Sequence, residues 1–164
     1  MAKKEFNIQD LINLQKTVES LIGDYTYKII ASNAKLKSAK EYTEDTPALY
    51  TKLNALYDQL NIIKLAKDKS NRSKTSLGKT NQQLIYELSN LNRKKTMLEV
   101  LFGQKLKTRK GGKVNEYEFN ITKNDINEYL DETTRRISDI KKAMTDFNNS
   151  HKVKIVIDDS LDLA

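Results

Sequence analysis

Apolar residues recur at alternating steps of three and four in four separate stretches of this chain of 164 residues. That spacing places the residues of each stretch on one side of an α-helix, where another helix can cover them. We expect seams between helices at Ile8, Leu11, Val18, Ile22, Ile29, Leu84, Leu88, Leu91, Leu98, Ile126, Leu130, Ile137 and Ile140. The pattern predicts a mostly α fold of antiparallel long-helix hairpins, which form a helical bundle with coiled-coil packing.

The composition favours long helices with much exposed surface. Apolar residues make up 38% of the chain and charged residues 31%, and one proline and five glycines leave few helix breakers. The chain has no cysteine and one histidine, which excludes disulfides, thiolate zinc sites, a cysteine nucleophile and a multi-histidine metal site. General acid-base catalysis needs carboxylates held in a pocket, and the pairs of acidic residues in this chain are adjacent in sequence and lie in polar segments. We therefore predict no catalytic residues, no cofactor and no metal, and a protein that is not an enzyme.

Capping residues predict where the first two helices begin and end. Asn7 is a suitable N-cap for a first helix that runs to about Lys40. At Thr46-Pro47 the threonine should then cap a second helix and the proline should occupy its first helical position, so this helix should start at Pro47. Its apolar pattern fades into the polar segment 67–75, which we interpret as the tip of a hairpin.

The second half of the chain predicts two more helices. The third should run from about Ser76 to Phe102. Thr122 and Asp125 form a start similar to a capping box for a fourth helix, which continues to about Asn148.

Between the last two helices the sequence period changes from that of a helix to that of a strand. The pair Gly111-Gly112, followed by alternating apolar residues up to Ile121, predicts a two-stranded β-hairpin within about 104–122. A flexible loop followed by one short strand is the alternative interpretation.

The end of the chain predicts one more strand. Val153, Ile155 and Ile157 recur at every second position, which predicts a small strand, and we expect this strand to pair with a partner. The residues after it should form a mobile acidic terminus. The predicted organisation is a helical bundle over residues 1–150, with the hairpin inserted, and a C-terminal strand and tail over 151–164.

Basic residues form two clusters in a chain whose net charge is +7. Candidate contacts to a polyanion or to a protein partner are Lys67, Lys69, Arg72, Lys74, Lys105, Lys107, Arg109, Lys110 and Lys113. Lysines can bind phosphates with an affinity that falls as salt rises, but they lack the planar fork that reads guanine edges. The alternative is that the same clusters are solvated surface that keeps the protein soluble, or contacts to other proteins.

Polar residues interrupt the predicted seams at Asn81, Lys95 and Thr133. A buried polar residue at such a position can fix helix register and oligomer number. The alternative is that these positions lie where the bundle is frayed or splayed.

Several segments carry a family resemblance: the polar tip LAKDKSNRSKT, the helix end NRKKTMLEVL, the segment YEFNIT before Asn124-Asp125-Ile126, and a last helix that ends in an asparagine pair. In these segments, mainly over residues 60–150, the chain resembles small bacterial and phage proteins called septicolysin-like. The resemblance implies a helical hairpin scaffold with a short β element, oligomerisation, and no catalytic residues. The chain departs from that family in its lack of tryptophan and in its tail HKVKI.

These observations favour a non-enzymatic structural or assembly protein that acts through helix–helix and β-edge contacts. Its expected partners are further copies of itself, as a homo-oligomer, and other protein subunits. No run approaches the ~20 apolar residues of a membrane span, so we expect a location in the cytoplasm or in a phage particle assembled there. The alternative function is nucleic-acid binding without sequence preference, through the lysine-rich loops.

Overall fold

The computed structural model of the protein describes residues 2–105, 107–161 and 163, and the side chains of Ala2 and Arg109 lie outside that description. In chain order the elements are β1 (Ala2–Asn7), α1 (Ile8–Ser32), α2 (Thr46–Ser70), α3 (Asn81–Phe102), β2 (Lys107–Lys110), β3 (Lys113–Glu116), α4 (Lys123–Ser150) and β4 (Lys152–Ile157), followed by a 3-10 helix (Asp159–Leu161). The prediction of a mostly α fold with a small β-hairpin and a C-terminal strand is confirmed.

The chain divides into two compact units. The first contains Met1–Ser73 with Phe147–Ala164, and the second contains Lys74–Asp146. This division differs from the predicted boundary after residue 150, because β4 pairs with β1 at the opposite end of the chain.

The two helices of the first unit run antiparallel. Ser32 near the end of α1 contacts Thr46 at the start of α2, with 3.1 Å between their hydroxyl oxygens. Near the other end, the Nζ of Lys67 donates to the Oε1 of Gln15 at 2.6 Å. The buried face between the helices contains the apolar stripes that the sequence predicts.

The helix α1 begins where the sequence predicts and ends earlier. The side chain of Asn7 accepts a hydrogen bond from the amide of Asp10 at 2.7 Å, which confirms the predicted N-cap. The helix ends at Ser32, so the predicted continuation to Lys40 is wrong. Beyond Ser32 the apolar residue Leu36 is 78% exposed and provides no packing to support another turn.

The cap of α2 is displaced by one residue from the prediction. The side chain of Asp45 accepts from the amide of Ala48 at 3.0 Å, so Asp45 is the N-cap and Thr46 is the first helical residue. Pro47 lies in the first turn as expected, where its missing N–H has no helical partner to lose.

The strand β1 was not predicted from the sequence. It pairs antiparallel with β4 in the register Ala2↔Ile157 to Asn7↔Lys152. This sheet contributes to one core of buried side chains, which consists of Ile8, Leu11, Leu14, Val18, Leu56, Leu60, Ile63, Phe147, Ile155, Ile157 and Leu161.

The C-terminal residues are ordered against this core. The predicted mobile acidic terminus is wrong for the described residues, because Leu161 is 9% exposed and belongs to the core. The carboxylate of Asp158 accepts hydrogen bonds from the amide and the hydroxyl of Ser160, at 2.9 and 2.7 Å. These bonds lower the pKa of Asp158 and hold the turn that buries Leu161. Asp162, part of the predicted acidic tail, lies outside the described residues.

In the second unit, α3 starts at Asn81 rather than near Ser76. Gly78 has a φ of +72°, a left-handed conformation that interrupts a helix. Thr80 then forms a capping box, in which its hydroxyl accepts from the amide of Gln83 and the Gln83 side chain accepts from the amide of Thr80. The helix therefore begins immediately after its cap.

The β-hairpin is confirmed over part of the predicted segment. The strands β2 and β3 pair antiparallel around Gly111 and Gly112, whose φ values of +59° and +78° are those of a tight two-residue turn. The alternating residues Tyr117, Phe119 and Ile121 lie outside the strands, so that part of the strand prediction is wrong. Leu106, which we assigned to the hairpin segment, lies outside the described residues.

The helices α3 and α4 pack around a second, smaller core. Thr122 and Asp125 form the predicted capping box of α4, since the Asp125 amide donates to the Thr122 hydroxyl at 3.2 Å and the Thr122 amide donates to the Asp125 carboxylate at 3.1 Å. The core contains Leu84, Ile140 and Ala143, with Leu88, Leu91 and Met144 partly buried against it.

Candidate protein-interaction face

The predicted seam residues are covered within the chain. The buried ones are Ile8, Leu11, Val18, Leu84, Leu98, Ile126, Ile137 and Ile140, and the half-buried ones are Ile22, Ile29, Leu88, Leu91 and Leu130. Because these stripes already pack inside single units, a contact between copies of the protein needs a different apolar surface.

The interruptions of the seam have different environments. Asn81 and Thr133 are each 2% exposed, whereas the side chain of Lys95 is 40% exposed and reaches Glu99 at 3.8 Å. The frayed-end interpretation therefore does not fit Asn81 or Thr133.

The strand that we expected to pair with a partner pairs with β1 of the same chain. Val153, Ile155 and Ile157 belong to β4, where Ile155 and Ile157 are buried in the first core. One edge of β4 pairs with β1, and on the side facing α2 the side chain of Gln59 bonds to Val156 and Asp158. The carbonyl of Val156 and the amide of Asp158 therefore already have partners within the protein, and the expectation that this strand is offered to a partner stays a prediction.

The basic candidates fall in both units. Lys67, Lys69 and Arg72 lie in the first unit, and Lys67 is half-buried by its bond to Gln15. Lys74 lies in the second unit, as do the residues on and beside the hairpin, namely Lys105, Lys107, Arg109, Lys110 and Lys113. The Nζ of Lys107 forms an ion pair with the Oε1 of Glu116 at 2.7 Å, and the side chain of Arg109 lies outside the description.

A second apolar stripe, which the sequence reasoning missed, lies on α3. Tyr86, Met97 and Val100 are 64%, 52% and 65% exposed. With Asn90 and Arg93 they fall within a sector of about 80° on the helical wheel, on the side opposite to the leucines of the core. We call these five residues the outer face of α3.

An ion-pair network joins α3 to α4. The Nε and Nη2 of Arg136 on α4 both contact the Oε1 of Glu87, each at 2.8 Å, and Lys79 bonds to the other carboxylate oxygen. The hydrogen bond from Lys79 and the contacts of Arg136 hold the pKa of Glu87 below its ordinary value. Glu87 is turned toward α4, whereas its neighbour Tyr86 is exposed.

The helical spacing of the outer-face residues can be recognised in the sequence. Tyr86, Arg93, Met97 and Val100 follow one another at steps of seven, four and three. The leucine stripe on the opposite side of this helix is more regular. The outer face is harder to recognise from spacing because two of its five positions are polar.

Two hollows lie beside the connection between α1 and α2. Their volumes are about 560 and 540 Å³, and the first is lined by Asn33, Tyr42, Glu44, Asp45, Thr46 and Pro47. The Asp45 carboxylate in this lining is engaged as the cap of α2. Among the described residues no group of three or more His, Cys, Asp or Glu side chains is placed to hold a metal ion.

Comparisons of this chain with family models, with curated proteins and with solved structures find no match. The resemblance to septicolysin-like proteins therefore stays a prediction. Within the part of the chain that the structure describes, no helix is both long and apolar enough to cross a bilayer.

Proposed function

We propose that the protein is a non-enzymatic assembly protein that associates with a second copy of itself through the outer face of α3. The observation that supports this proposal is a helix that is apolar on two opposite faces, of which one packs on α4 and the other is exposed. An exposed stripe of helical period is typical of a surface that a second helix covers.

The outer face is complementary to itself in one antiparallel arrangement. A two-fold axis between residues 91 and 92 would place Tyr86 opposite Met97 of the second copy, and by symmetry Met97 opposite Tyr86. Thioether sulfur packs favourably against aromatic rings, so this pair is made twice in one interface.

The polar residues of the outer face also match in this arrangement. Arg93 would lie opposite Asn90 of the second copy, whose side-chain oxygen can accept from the guanidinium group. Two like charges therefore do not face each other at the centre of the interface. The guanidinium reaches the rim while its aliphatic stem packs beside the apolar residues.

Light scattering coupled to size-exclusion chromatography tests the proposal. We expect the wild-type protein to elute with twice the mass of one chain at micromolar concentration. Met97→Glu should shift it to the mass of a monomer, since the carboxylate would lose its water on packing opposite Tyr86 and the contact between sulfur and ring would be lost. Met97 is 52% exposed and glutamate is a good helix former, so this variant should keep the circular dichroism spectrum of the wild type.

The matched control is Leu65→Glu, which places the same charge at a 70% exposed leucine of α2. We expect this variant to remain a dimer. A wild-type protein that is monomeric throughout, or a Met97→Glu variant that dimerises as well as the wild type, would overturn the proposal.

A further inference from the structure

The β2–β3 hairpin is a strongly basic ribbon. The segment 104–116 contains the five basic residues Lys105, Lys107, Arg109, Lys110 and Lys113, against one acidic residue, Glu116. The side chains of Lys107, Lys110 and Lys113 are exposed. Only Lys107 has an ion-pair partner among the described side chains of this segment, namely Glu116.

At the turn end of the hairpin two lysines face each other, and their repulsion makes the folded hairpin less stable. Lys110 lies directly opposite Lys113 in the register of the two strands. Side chains directly opposite each other in an antiparallel pair point to the same face, and two like charges there destabilise the hairpin. An anion bound between the two ammonium groups would reverse this repulsion into attraction.

The rest of the same face suits a phosphate backbone. Thr108 and Asn115, the opposed pair two positions from Lys110 and Lys113, share their face and offer neutral hydrogen-bonding groups. At the turn, Gly111 and Gly112 have no side chains that would keep a large ligand at a distance.

We propose that this hairpin binds the phosphate backbone of duplex DNA without sequence preference, with Lys110 and Lys113 as its principal contacts. A two-stranded β-ribbon fits the width of the B-form major groove, whereas the A-form major groove of duplex RNA is too narrow for it. Lysines neutralise phosphates as flexible point charges and lack the planar fork of arginine, so we expect binding that is insensitive to sequence. A membrane surface is disfavoured because the turn carries no apolar or aromatic residue to enter the lipid.

Fluorescence anisotropy with two labelled DNA duplexes of unrelated sequence tests this proposal on the full chain. The wild type should bind both duplexes equally at low salt. The double variant Lys110→Gln with Lys113→Gln should bind at least about tenfold more weakly, and the slope of log affinity against log salt should fall by about 2. Since the variant removes a repulsion, the hairpin should be no less stable, and weaker binding would not reflect unfolding.

The control variant Lys69→Gln with Arg72→Gln lowers the net charge by the same two units, from +7 to +5, in the other basic cluster. We expect it to keep most of the wild-type affinity. Equal losses in both variants would show attraction by net charge alone and overturn the proposal. So would absence of binding at low salt, or binding to anionic vesicles or duplex RNA that exceeds binding to DNA.

Discussion

The buried side-chain amide of Gln59 on α2 donates from its Nε2 to the carbonyl oxygen of Val156 on β4, at 3.0 Å. Its Oε1 accepts from the amide of Asp158 at 2.9 Å, and the residue is 2% exposed. One glutamine thus makes the pair of hydrogen bonds that a residue of a neighbouring strand would make. These two hydrogen bonds link the C-terminal end of β4 to α2.

Gln59→Leu should destabilise the protein markedly. Leucine fills a similar volume but leaves the carbonyl of Val156 and the amide of Asp158 without their side-chain partner in a buried place. Each unsatisfied backbone group costs roughly 1–3 kcal/mol, so we expect the free energy of unfolding to fall by about 2 kcal/mol or more. Urea denaturation followed by circular dichroism measures this change, and amide exchange at Asp158 should become faster.

A matched variant, Gln104→Leu, replaces an exposed glutamine and should change stability little. Equal stability of Gln59→Leu and the wild type would show that the two hydrogen bonds contribute nothing net to folding.

The sequence predicted those parts of the fold that local chemistry determines. The cap at Asn7, the capping box at Thr122 and Asp125, and the turn at Gly111-Gly112 depend on residues a few positions apart, and all three are confirmed. The strand β1 has the polar sequence AKKEFN, which shows no strand period. It is extended because β4, about 150 residues away, supplies its hydrogen bonds.

The candidate site was predicted only in part. The lysines of the hairpin were recognised from charge, but the register that sets Lys110 against Lys113 required the structure. Gln59 gave no signal, since a glutamine between apolar stripe residues is ordinary on a helix and its bonding partners are distant in sequence. The outer face of α3 was missed because exposure, rather than spacing, distinguishes it from the core stripe.

Thr133→Val should make the protein more stable. Thr133 is 2% exposed on α4, and among the described residues its Oγ1 has no hydrogen-bond partner. Burial of an unsatisfied hydroxyl is unfavourable, and valine has the same branched shape without it. We expect a gain of about 1 kcal/mol in the free energy of unfolding, measured by urea denaturation.

The neighbouring Thr134 is exposed, so Thr134→Val is the appropriate comparison and should change the stability by less than about 0.5 kcal/mol. A loss of stability in Thr133→Val relative to Thr134→Val would indicate that the buried hydroxyl is satisfied in solution.

Glu87→Gln should remove an acid-sensitive contribution to stability. Hydrogen bonding by Lys79, together with the contacts of Arg136, lowers the pKa of Glu87 from its ordinary value of 4.5. The unfolded chain therefore takes up this proton first as the pH falls, so the contribution is complete above the ordinary value and is lost as pH falls through the folded pKa.

At neutral pH we expect Glu87→Gln to unfold more easily than the wild type by about 1 kcal/mol, since the charge-assisted bonds are only partly screened by solvent. The difference should shrink as the pH falls from the ordinary glutamate pKa through the lowered pKa of the folded protein, where the wild-type carboxylate becomes protonated as well. Urea denaturation at a series of pH values measures it, with Glu99→Gln, an exposed position on the same helix, as the control that should show little change. A difference between wild type and Glu87→Gln that stays constant through the acid range would mean that the contribution of Glu87 is not electrostatic.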